Sequence, residues 1–178
     1  MNFNNQALIH LFNNLFKSSE QTILVGGAAE PLYLPKDTEA SFHQVIFTQD
    51  YFASALHEIA HWCIAGKARR QLVDYGYWYQ PDGRSMEAQN LFEQVEIKPQ
   101  ALEWIFSTAT GIKFRVSADN LTGNHPASDE FKYNIYQQVL AYLTNGMPTH
   151  AELLKHALLR FYQRKNLFSL ACFNLEDL

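Results

Sequence analysis

Two histidines four residues apart, with a glutamate between them, make His57-Glu58-Ile59-Ala60-His61 the chemically densest stretch of this 178-residue chain. On an α-helix, positions i and i+4 share a face, so both imidazoles of such an HExxH pattern can point at one metal ion. Glu58 is turned aside from that line and can work beside the metal as an acid/base group. The plainer reading is a pair of helix histidines hydrogen-bonded in a core. Two nitrogen donors hold a divalent ion poorly, so a third ligand is expected downstream, among Glu87, Glu93, Glu96, Glu103, Asp119 and His125. Glu96 stands between Val95 and Ile97, where a carboxylate is drawn inward and needs a partner, either a metal or a structural cation. Glu87, Glu93 and Glu103 sit in more polar surroundings and are expected to be solvated. Two histidines and a carboxylate with open positions suit catalytic zinc, Glu58 then being the general base of a small peptidase or ribonuclease. They suit a non-heme Fe(II) oxygenase equally well. Spacing and ligand type leave both classes standing.

The flanks carry weaker signals. Lys67, Arg69 and Arg70 follow the motif and read either as a solvated, dipole-favouring helix end or as a contact for an acidic partner protein or a phosphate. Tyr75, Tyr77, Trp78 and Tyr79 are dense enough to line a cleft for a long cationic side chain, although on a strand half of them would face the core. Cys63, two residues past His61, falls on a different helix face and is not counted as a ligand.

These side chains need elements to hold them. Apolar spacing predicts a first helix through Ala7–Phe16. Short β-branched or aromatic runs at 22–25, 31–34 and 44–48 predict strands. The HExxH lies in a helix predicted over Tyr51–Ala65, with Gly66 just past its end. Tyr75–Tyr79 reads as a strand or ordered loop closed by a turn at Pro81-Asp82-Gly83. Ser85 is the expected N-cap of a helix that Pro99 ends or kinks, with helix resuming to Gly111 and a last strand over Ile112–Val116. Pro126 opens a long helix ending at Gly146, and Thr149 with Glu152 makes a capping box for the final one. The expectation is α+β: one helix-rich domain over residues 1–178 with a small sheet. Hydrophobic residues make up 47% of the chain and charged residues 18%, enough to bury a core. A net charge of −4 disfavours direct nucleic-acid binding. Two cysteines provide no disulfide framework, no stretch reads as a signal peptide or membrane span, and a cytoplasmic location is expected.

Longer runs around the motif point to a family. Tyr51–Ala55 leading into His57-Glu58-Ile59-Ala60-His61-Trp62-Cys63-Ile64-Ala65-Gly66-Lys67-Ala68-Arg69-Arg70, then 72–79, 81–84 and 95–102, resemble the bacterial elongation factor P hydroxylases. Segments 30–35 and 119–121 agree as well. Ala60 stands where the family carries serine, and the tail after about residue 165 is divergent. The resemblance implies an enzyme that hydroxylates the lysine of elongation factor P already extended with a β-lysyl group. It implies Fe(II) held by His57, His61 and Glu96, dioxygen as co-substrate, and a fold similar to that of a metal-dependent bacterial endoribonuclease. On this reading Asp74 and Tyr75, Tyr77, Trp78 and Tyr79 wall the cleft for the cationic β-lysyl-lysine arm. Lys67, Arg69 and Arg70 lie outside the cleft and meet acidic surface on the elongation factor. Glu58 orients a metal-bound water or relays a proton.

Overall fold

Asn4 opens the first element. Its side chain accepts from the Gln6 backbone N–H, and α1 (Asn5–Phe16) follows with Leu8, Phe12 and Phe16 buried along one stripe. The computed structural model describes residues 3–49, 51–76, 84–118 and 127–178. Three strands come next: β1 (Thr22–Ala28), β2 (Leu32–Leu34) and β3 (His43–Thr48). They form one sheet in the order β1-β3-β2, with β3 parallel to β1 and antiparallel to β2. The sheet is small because β2 pairs through three residues only. β3 alternates strictly, burying His43, Val45 and Phe47, as the period of a strand with one covered face requires. Gly26 keeps the space for Phe47: a Cβ there would lie 2.6 Å from the Phe47 ring.

The turn after β3 delivers the chain directly into α2 (Phe52–Ile64), and Ser54 Oγ ties the two elements by accepting from the Thr48 N–H at 3.1 Å. α2 is covered on most sides, with Ala55, Leu56, Ile59, Ala60 and Trp62 fully buried. Its half-open stripe is Ser54, His57, Glu58, His61 and Ile64. Ser85 caps α3 (Met86–Thr110), its hydroxyl accepting from Ala88 N–H, and Gly111 ends the helix in the left-handed conformation at φ 88°. α4 (Asp129–Asn145), capped by Ser128, and α5 (Thr149–Phe161) pack against α3. The C-terminal residues fold back as two short 3-10 turns, and Phe173 seals against Trp104 at 5.3 Å between ring centroids. Among the described residues no helix is long and apolar enough to cross a membrane.

The helix-rich α+β reading holds, as does helix past Pro99 to Gly111, and two local expectations do not. Of the two outcomes open at Pro99, ending the helix is the one that does not occur: α3 runs through it for 25 residues. Proline removes one N–H and crowds the preceding turn, but the half of α3 from Pro99 onward is buried between other helices, and that packing outweighs the local cost. Residues 112–116 form no strand and pair with neither edge strand of the sheet, and side chains hold the segment instead. Gln100 does this at the end of the segment, donating to the Ser117 carbonyl at 2.7 Å and accepting from its N–H at 3.1 Å. Thr149 is the first helical residue of α5 rather than its cap, and the cap position, Pro148, makes no side-chain hydrogen bond. The turn at 81–83 and Pro126 lie outside the described residues.

Replacing Gly26 with alanine should push a methyl group into the fully buried Phe47 ring and lower stability by about 1–3 kcal/mol. The measurement is a urea titration, in which the midpoint should fall while the slope stays unchanged.

Candidate metal centre

The half-open stripe of α2 faces α3. His57 and His61, one turn apart, bring their Nε2 atoms to 3.0 Å. Glu96 reaches across from α3, with Oε1 at 3.1 Å from His61 Nε2 and Oε2 at 3.5 Å from His57 Nε2. These three residues are the group of donors among the described residues suited to one ion. Ligands about 2.0–2.1 Å from a common metal stand roughly 3.0–3.4 Å from each other, so the triangle has the right size. Glu96 is 2% exposed, and its Oε2 has no hydrogen-bond partner among the described residues. A buried carboxylate oxygen left in that state calls for a cation. The donor set therefore fits a divalent metal.

The electrostatics agree. Burial would raise the Glu96 carboxyl, but the charges of His61 and His57 and hydrogen bonds from His61 and Gln100 outweigh it and hold Glu96 well below the usual carboxylate range. Burial likewise opposes a charged His57. The hydrogen bond to Glu103 and the charges of Glu96, Glu103 and Glu58 overcome that and lift it well above the usual imidazole range. The pocket of negative potential that stabilises a proton there is the one a metal ion would use after displacing it. Glu58 is pushed up, first by its own burial and then by the nearby Glu96 and Asp74 charges, with the two histidines opposing. A carboxyl in that position can hold a proton close to the donor triangle.

Beside the triangle lies a cavity of about 300 Å³ whose lining includes His61, Arg69, Tyr75, Val95, Lys98 and Pro99. Tyr75 enters it from an unusual turn. Asp74, Tyr75 and Gly76 have φ of 49°, 56° and 72°, a left-handed run that costs side-chain-bearing residues energy. The surroundings hold it: Asp74 Oδ1 accepts from the Tyr33 N–H at 2.8 Å, and Arg69 Nε donates to the Tyr75 carbonyl at 2.9 Å. The Tyr75 ring stacks on Tyr33 at 4.2 Å, and its buried hydroxyl has no hydrogen-bond partner among the described residues.

The structure brings His57, His61, Glu96 and Glu58 together, with Tyr75 and Asp74 close by. Tyr77, Trp78, Tyr79, Asp119 and His125 lie outside the described residues. Cys63 is buried and its thiol pushed up by that burial, in keeping with its exclusion as a ligand. Glu87 is exposed on the first turn of α3, and Glu93 accepts from Ser128 Oγ at 2.6 Å at the start of α4. Neither approaches the triangle. Glu103 corrects the expectation of a solvated side chain: it is buried and accepts from His57 Nδ1 at 2.9 Å. Its spacing from Glu96, seven residues and hence two helical turns, was the signal that could have found it.

The basic trio also divides. Lys67 is exposed, as a docking contact requires. Arg69 lines the cavity beside His61, so it does not lie outside the cleft. Arg70 is turned inward: its guanidinium stacks on Trp62 at 4.1 Å, donates to the Trp62 carbonyl at 2.9 Å and pairs with Glu20 at 3.3 Å. A planar cation with an apolar face suits that position, whereas a docking surface needs it exposed.

The comparisons with known proteins bear on this arrangement. Residues 11–172 match the family model described as elongation factor P hydroxylase. The chain belongs to that family. An elongation factor P lysine hydroxylase of Haemophilus influenzae is 48% identical over 170 residues, which is 96% of each chain. The family match takes in both helices of the donor triangle and the strained turn, so every described residue of the candidate site lies inside the matched region.

Changing Arg70 to glutamate should destabilise the fold on the order of 3 kcal/mol, because it sets a second carboxylate against Glu20 in a covered site. A thermal melt at low salt checks this. The same change at Lys67 should leave the stability within about half a kcal/mol of the starting protein.

Proposed function

We propose that this protein hydroxylates the β-lysylated lysine of elongation factor P, using Fe(II) held by His57, His61 and Glu96 and dioxygen as co-substrate. The observation that carries the reading is the donor triangle built around a buried, under-satisfied Glu96, in a chain of the elongation factor P hydroxylase family. The metal supplies the oxygen activation that protein side chains cannot, and two histidines with one carboxylate leave positions open for it. The chain's own residues do the rest. α2 and α3 fix the three donors on rigid elements, which orders the reacting atoms before substrate arrives. Glu58, with its raised carboxyl, holds or relays a proton next to the site.

The arm enters through the cavity beside His61. Tyr75 lines it with an aromatic ring, and Asp74 adds negative charge near the metal end. Tyr77, Trp78 and Tyr79, which follow directly in sequence, complete the wall in this reading. Arg69 and Lys98 at the same cavity would repel a free ammonium, so they are placed to meet acidic groups on the body of the elongation factor, with Lys67 outside on the surface. The fold similarity to a metal-dependent bacterial endoribonuclease and the cytoplasmic location belong to this same reading.

Alanine at His57, His61 or Glu96 should each remove most bound metal while leaving the far-UV circular dichroism intact. Full metal occupancy in Glu96→Ala would break the ligand assignment, since Glu93 is engaged elsewhere. The activity itself is tested by intact-mass analysis of β-lysylated elongation factor P. Anaerobic protein loaded with Fe(II) should add one oxygen atom to the substrate once air is admitted, and zinc-loaded protein should add none, because zinc has no redox cycle. Turnover with zinc in the absence of oxygen would overturn the hydroxylase reading.

A further inference from the structure

Among the buried polar side chains of α3, Glu96, Gln100 and Glu103 follow one another at spacings of four and three residues on one face. Glu96 completes the donor triangle, and Gln100 hydrogen-bonds it while clamping Ser117. Glu103 has a different geometry. Its Oε2 lies 2.9 Å from His57 Nδ1, the ring nitrogen that points away from the triangle, while His57 Nε2 faces His61 and Glu96. A carboxylate can only accept here, so Nδ1 carries the hydrogen and the Nε2 lone pair is left for a metal.

From this we infer that Glu103 is a positioning residue for the metal centre, locking the His57 imidazole in the tautomer and orientation that ligation by Nε2 needs. The inference rests on the ligand set proposed above. A purely structural ion pair would not require the bond to fall on the far nitrogen, nor the near one to meet two other donors within 3.5 Å. The side chain is 11% exposed, and His57 is its ion-pair partner, with no lysine or arginine paired to it among the described residues. A carboxylate withdrawn from water against a single imidazole is costly unless that imidazole is itself engaged. Among the described residues His61 has no such backing: the carboxylate paired with it is Glu96, on the metal-facing nitrogen. The two histidines of the motif are thus unequal, and His57 is the pre-set ligand. A carboxylate hydrogen-bonded to a ligating imidazole also makes the ring a stronger donor.

The test uses the full chain and Co(II) as a probe, with affinity read by competition against a chromophoric chelator. Glu103→Ala should weaken Co(II) binding by about 10- to 100-fold. Glu103→Gln keeps an oxygen acceptor at the same reach and should stay within a few-fold of the parent protein. In zinc-loaded protein, the His57 Nδ1–H proton should give a resolved low-field resonance that Glu103→Ala loses to solvent exchange and Glu103→Gln retains. Equal Co(II) affinity in all three proteins would overturn the inference. So would a loss of affinity in the alanine variant that glutamine does not restore, or an unchanged Nδ1–H resonance. If the parent protein binds Co(II) but His57→Ala and His61→Ala bind it equally well, the ligand set itself fails, and that outcome is separate from a fault in the role given to Glu103.

Discussion

Glu96 is a carboxylate almost withdrawn from water between α2 and α3, and a charge in that position must be compensated nearby. Its compensation comes from imidazoles, which lie 3.1 and 3.5 Å from its two oxygens and belong to the other helix. That requirement constrains how the two helices meet. α2 must turn the 57/61 stripe toward α3, so its remaining faces are free to be apolar and fully covered. α3 must carry charge into an interior contact, so it repeats polar residues at helical spacing along that one face. The site is therefore part of the helix–helix contact and not a feature added to its surface.

Two further elements are explained by the same centre. α3 continues through Pro99, and this continuity keeps Glu96 on one side of the proline and Gln100 and Glu103 on the other in a single rigid register. A break there would uncouple Glu96 from Glu103, the carboxylate paired with His57 Nδ1. The left-handed run at Asp74–Gly76 is paid for by contacts to Tyr33 and Arg69, and it sets the Tyr75 ring at the cavity edge beside His61. Strain at that point has a positional result: an aromatic ring lines the cleft beside His61.

The opposite flank of α2 shows how one sequence cluster can serve different ends. Arg70 braces Trp62 and Glu20 inside the fold, Arg69 reaches the cavity beside His61, and Lys67 stays in water. Adjacent residues on a short 3-10 turn point in different directions, and charge alone does not distinguish them.

What the sequence determined by itself was periodic or strictly local. The i, i+4 histidines, the alternating β3, the Ser85 cap and the Gly111 stop all follow from rules acting within a few residues, and all are present. Glu96 was also legible, because a carboxylate between two apolar residues has to find a partner. The longer runs of residues around the motif carried the family, and with it the elongation factor P hydroxylase reading. Tertiary structure decided what depends on a neighbour distant in sequence. Pro99 stays helical because packing on other helices outweighs a local penalty, and residues 112–116 stay out of the sheet, with the end of the segment fixed to α3 through Gln100. Glu103 is buried because His57, 46 residues earlier, is brought against it. Arg70 turns inward because Trp62 and Glu20 converge there. Local propensity is written in a short window, whereas burial and partnership are properties of the closed fold, and in this protein the second set determines which charges build the site.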